Sequence, residues 1–228
     1  MTYDDILADF EAHRNPDALA GMARYGIATA RAYGIAIPHL RHLAKRIRTD
    51  HALVGRLWAS GIHEARILAS MVADPRAVTG EQMDAWAAEF DSWDLCDQCC
   101  ANLFERTPLA WAKAVEWSAR PEGFVKRAGF VLMARLAVSD KKADAARFLA
   151  FMPLIQREAT DERHEVKKAV NWALRQIGKR NSALNAAAIE TATAIRQINS
   201  RAARWIAADA LRELQSVAVQ DRLQRKRI

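Results

Sequence analysis

The 228-residue chain carries 34 Lys and Arg against 27 Asp and Glu, a formal net charge of +7 with an isoelectric point near 9.6. Nine glycines and six prolines are too few for the tight turns of a sheet-rich protein, and no run reaches the roughly eighteen apolar residues of a membrane span. Composition therefore points to an all-α chain with no membrane insertion, and its positive charge suits an anionic partner such as nucleic acid or an acidic membrane surface.

In chain order, apolar periodicity predicts helices over residues 3–12, 16–23, 25–32, 39–48, 53–60, 64–73, 81–90 and 93–105. It continues with 109–119, 124–137, 143–154, 162–178, 183–198 and 201–214. Pro16 suits a first helical turn, residues 34–38 break the pattern, and Asp91-Ser92 supplies a cap for the 93–105 helix. The basic stretch from Arg222 onward is expected to fray.

Long helices with short links leave a bundle or an α-solenoid, and an internal comparison selects the second. Residues 125–137 align with 166–178, and residues 203–214 align with both; the offsets are close to the period of HEAT or armadillo hairpins. Residues 65–73 look like a more degenerate copy. The expected fold is all-α, a curved solenoid of HEAT-like helical hairpins forming a single domain over 1–215, with a basic tail at 216–228.

Two opposite messages share the 166–178 helix. Val166, Ala169, Val170, Ala173, Leu174 and Ile177 form one apolar stripe, while Lys168, Trp172, Arg175 and Lys179 fall on the other side. A large aromatic among cations is thus expected to point away from the core. Repeat alignment puts Arg127 at the position of Lys168 and Arg175 at that of Arg212, a row of cations suited to phosphates.

The 93–105 helix repeats the theme. Leu95, Cys96, Cys99 and Leu103 make its core stripe, and Trp93 and Asp97, one turn apart, oppose it. Two indoles with a carboxylate between them, in basic surroundings, suit a cation bound to a polyanion. A purine alkylated at N3 or N7 in DNA is such a cation, and cleaving its glycosidic bond develops oxocarbenium character that a fixed carboxylate stabilises.

Trp93-x-x-x-Asp97 with Trp172-x-x-Arg175 in a HEAT-like array resembles the AlkD-type DNA glycosylases of the DNA alkylation repair family. The segment Gly34-Ile-x-x-Pro-x-Leu-Arg-x-Leu-Ala44 is similar to that family's amino-terminal half. The resemblance implies that Trp93 and Trp172 contact the damaged nucleotide, that Asp97 is the catalytic carboxylate, and that Arg127 holds the DNA backbone, with Arg175 a lesser candidate; the repeat alignment adds Lys168 to these DNA-binding residues. It further implies excision of N3- and N7-alkylated purines from double-stranded DNA without metal or organic cofactor; the protein is expected to act as a monomer. Where the family often has a second Trp, this chain has Ser92.

Other residues are expected to be structural. Trp58, Trp86, Trp111 and Trp117 read as packing residues, and Trp205, at the repeat position of Lys168, lines the groove or caps the last hairpin. Cys96, Cys99 and Cys100 form one cluster on a helix with no fourth ligand, which argues for buried thiols in a reducing cytoplasm over zinc or disulfides. The six histidines show no ligand spacing. A noncatalytic DNA-binding repeat protein and a protein-interaction scaffold are the rival functions.

Overall fold

The computed structural model describes residues 1–225, and among these there are α-helices and two short 3-10 turns but no strand. The chain forms two compact units, Met1–Pro108 and Leu109–Ile228.

The first unit contains α1 (Tyr3–Ala12), α2 (Pro16–Arg24), α3 (Ile37–Ile47), α4 (His51–Ala59), α5 (His63–Val72), α6 (Gly80–Ala88) and α7 (Trp93–Asn102). Its centre is α5, which packs against α3, α4 and α7. Ala65, Ile67, Leu68, Ala69 and Val72 are buried there, and so are the polar His63, Glu64 and Ser70. A helix covered on several sides has to satisfy such groups internally. Glu64 does so by accepting backbone N–H bonds from Tyr33, Gly34 and Ile35 at 2.7–3.2 Å, which pins the irregular segment before α3.

The expected helix over 25–32 is absent. Gly26 has φ +72°, and the N–H groups of Gly26 and Ile27 return to the carbonyls of Ala23 and Met22 at 3.0 and 3.1 Å. This paired closure ends α2 with a left-handed residue that glycine adopts without a Cβ penalty. The aliphatic spacing of the segment suggested helix; the glycine decides otherwise.

The second unit contains α8 (Ala110–Ser118), α9 (Gly123–Ser139), α10 (Ala145–Leu149), α11 (Met152–Arg157), α12 (His164–Gly178), α13 (Ser182–Arg196), α14 (Arg201–Leu214) and α15 (Val217–Arg225). The aligned segments all lie on α9, α12 and α14, and α12 packs against both of the others. Repeat spacing in the sequence thus corresponds to adjacency in space. On α12 the six stripe residues from Val166 to Ile177 are all fully buried.

At Gly129, a Cβ would lie 2.6 Å from the Ser118 backbone nitrogen, so the close contact between α8 and α9 requires glycine there. Residues 143–154, expected as one helix, divide into α10 and α11, with Pro153 in the first turn of α11.

The tail also differs from expectation. Through Arg225 it is α15, with Val219 and Leu223 buried. The Gln220 amide donates to the Leu214 carbonyl at 2.7 Å and to Asn185 Oδ1 at 3.1 Å. Residues 226–228 lie outside the described residues. Val219 and Leu223, one helical turn apart, together with these Gln220 bonds dock α15 although most of its residues are polar.

The expected packing tryptophans hold. Trp58 and Trp86 are buried and stacked with centroids 3.9 Å apart; Trp117 is fully buried; Trp111 is half-buried against Phe151, 5.3 Å between centroids.

Candidate functional site

On α7, Leu95, Cys96 and Cys99 are buried, which turns Trp93 outward at 39 % exposure and leaves Asp97 half-buried. The two residues are one turn apart on the same helix, close enough for side-chain contact with a common ligand. The indole N–H of Trp93 donates to the Tyr25 carbonyl at 3.0 Å. That carbonyl is available because α2 closes at Gly26 and no further turn claims it. The indole is therefore held along one edge with part of its surface open.

Ser92 is buried, and its hydroxyl donates to Asp91 Oδ1 at 3.1 Å instead of capping α7. The next residue, Asp94, faces His63 on α5, with Asp94 Oδ2 2.8 Å from His63 Nε2. Burial disfavours charge on both groups. Against that, the hydrogen bond and the opposite charge hold Asp94 below the usual carboxylate range. For His63, the bond to Asp94 and the charges of Asp94, Glu64 and Asp91 also overcome burial and raise its pKa. This pair locks α7 onto α5 and so sets the orientation from which Trp93 and Asp97 project.

In the second unit, Trp172 is half-buried on α12. Lys168 is exposed, with Nζ 4.7 Å from the ring centroid of the half-buried Trp205, a cation-π contact. Arg175 Nη1 donates to Glu213 Oε2 at 2.5 Å, and Lys179 Nζ to Glu213 Oε1 at 2.5 Å. Asp209 lies 3.6 Å from Arg175 as well and accepts the Asn171 amide at 2.8 Å. The positive charge of Arg175 is thus compensated by two acids of α14, a relationship invisible in its own helix.

Arg127 lies in the interior, not in an exposed row with Lys168. It is only 6 % exposed and donates through Nη1 to the Glu165 carbonyl at 2.7 Å. The reason is α9 itself, which is buried nearly all round between α8 and α12, so that the Arg127 guanidinium joins α9 to the start of α12.

Cys96, Cys99 and Cys100 are buried thiols outside any disulfide, and burial pushes the Cys99 and Cys100 thiols up. Two of the histidines behave differently from the sequence expectation: among the described residues, His13 and His39 gather with Asp9 closely enough to share a metal ion.

A family model described as "DNA alkylation repair enzyme" matches residues 6–214. The chain belongs to that family. Its fold is that of the HEAT-like helical repeats: a solved structure described as "a new family of proteins related to the HEAT-like repeat DNA glycosylases with affinity for branched DNA structures" is similar with TM-score 0.79 and 19 % identity, covering 98 % of this chain and 96 % of that one. No curated protein matches the sequence. Among the described residues, no helix is long and apolar enough to cross a membrane.

Proposed function

We propose that this protein is a DNA glycosylase that removes cationic N3- or N7-alkylated purines from double-stranded DNA, acting as a monomer. The observation that carries this reading is the Trp93–Asp97 pair on α7, an outward indole fixed by the Tyr25 carbonyl with a carboxylate one turn further on, in a member of a DNA alkylation repair family. The chain's net charge of +7 favours the polyanion.

In this reading, Asp97 stabilises the oxocarbenium ion that forms as the bond between C1′ and the purine nitrogen breaks. The bonding pair leaves with the base and cancels its positive charge, so no strong general acid is required. Water then adds at C1′ and loses its proton to the carboxylate or solvent. Trp93 and Trp172 contact the damaged nucleotide, since the negative face of an indole favours a cationic base. Lys168 supplies a backbone contact; Arg175 and Arg127 do so only if their present partners release them.

Release of 7-methylguanine and 3-methyladenine from alkylated duplex tests the reading. Asp97→Asn is expected to slow release about a hundredfold or more, and Trp172→Ala to weaken it. Equal release by wild type and both variants would remove these assignments.

The described relative's affinity for branched DNA favours a second reading, a protein that binds DNA junctions without excising bases. Tight binding to a four-way junction by wild type, with no base released from alkylated duplex, would select it.

A further inference from the structure

α1 ends at His13, whose Nδ1–H donates to the Asp9 carbonyl at 2.8 Å. The carboxylate of the same Asp9 lies 2.6 Å from Nε2 of His39 on α3. The two imidazoles lie side by side, with ring centroids 4.3 Å apart and planes at 40°. One donor atom from each of the three residues falls within 4.8 Å of the other two. From this arrangement we infer that Asp9, His13 and His39 form a binding site for a divalent transition metal of the zinc class.

The donor set selects the metal. Two imidazole nitrogens and one carboxylate oxygen suit Zn²⁺ or its neighbours, whereas Mg²⁺ and Ca²⁺ prefer oxygen throughout. Around a tetrahedral Zn²⁺ bound at about 2.0–2.1 Å, ligand atoms stand roughly 3.3 Å apart. Separations between 2.6 Å and 4.8 Å are therefore brought to that value by side-chain rotation. His13 is exposed and its ring can turn, while the 2.6 Å approach of His39 to Asp9 occupies the line on which the metal would sit. Binding replaces the hydrogen on that line; for a neutral imidazole, it moves to the other ring nitrogen.

A structural role is the competing explanation, since a hydrogen-bonded His–Asp pair can tie two helices without a metal. Two features go beyond it. A second imidazole lies tilted against the first, although its own hydrogen bond is already met within α1. In addition, His13 and His39 both line a cavity of about 440 Å³, shared with His63 and Asp94 in the same unit. A three-residue site opening on a cavity leaves a coordination position for water or another small ligand. Because its ligands come from α1 and α3, the metal would clamp these helices and raise stability by mass action.

The test uses the full chain, stripped by a chelator and titrated with Zn²⁺, with Co²⁺ as the visible probe. Wild type is expected to bind one Zn²⁺, to give the absorption of a low-coordinate Co²⁺ complex, and to melt at a higher temperature until EDTA is added. His13→Gln keeps the Asp9–His39 bond and so should melt like metal-free wild type. It should bind Zn²⁺ at least about tenfold more weakly, and combination with His39→Gln should abolish binding. Absence of uptake by wild type, or uptake and thermal shift undiminished in the double variant, overturns the proposal.

Discussion

The indole N–H of Trp93 donates to the backbone carbonyl of Tyr25 at 3.0 Å, which ties the position of the aromatic on α7 to the way α2 ends. Trp93→Phe removes the donor while keeping an aromatic face, and is expected to lower stability by about 1 kcal/mol. As Trp93 contacts the damaged nucleotide in the proposed reaction, the substitution should also reduce alkylpurine release more than the stability loss explains. Gly26→Ala, which forces a side chain into φ +72°, should lower stability by about 1 kcal/mol. Urea unfolding and single-turnover release measure both; full activity in both variants would show that this anchor does not position the indole.

The pair of His63 and Asp94 predicts a pH dependence of stability. Asp94, held below its ordinary 3.8, contributes stability that is present above that value and lost as pH falls through the lowered one. His63, raised from 6.5, contributes stability that is complete below 6.5 and lost as pH rises through the raised value. Asp94→Asn should therefore cost about 3 kcal/mol near pH 5, as for a broken buried pair, and less in the alkaline range. Unfolding curves of wild type and variant across pH measure the difference, and a gap that does not change with pH contradicts the assignment.

Salt dependence separates Lys168 from Arg175. Lys168 is exposed, so Lys168→Ala is expected to lower the slope of log affinity for duplex DNA against log salt by about 0.9, if it meets a phosphate. Arg175→Ala should change that slope little, because Glu213 and Asp209 already balance its charge. Glu213→Gln frees Lys179 and leaves Arg175 with Asp209 alone, so it should steepen the slope, with a loss of stability on the order of 1 kcal/mol. Fluorescence anisotropy over a salt series reads all three; a large effect of Arg175→Ala alone would show that DNA displaces its acidic partners.

Docking of α15 makes a further prediction. Removing residues 216–228 uncovers the end of α14 and strips away the buried Val219 and Leu223. The loss should be about 2–4 kcal/mol from the apolar burial of these two side chains. A truncated chain as stable as the full one by urea unfolding would show that the helix is held only weakly.

Apolar spacing alone determined that the chain is helical, where most helices run, which stripe of α12 is buried, and that α9, α12 and α14 are successive copies of one unit. It also marked Trp93 and Asp97 as residues opposing the core stripe of α7, because a helix with one buried face leaves few choices for the other. Tertiary structure decided the rest. Whether a cation is exposed depends on the neighbouring helix, which buried Arg127 against α12 and set Glu213 beside Arg175. Tyr25 is 68 residues from Trp93, and His39 is 26 from His13, so the groups that hold the indole and those that would hold a metal become partners only when distant segments pack. Periodicity records the face a residue occupies; partners are assigned by the fold.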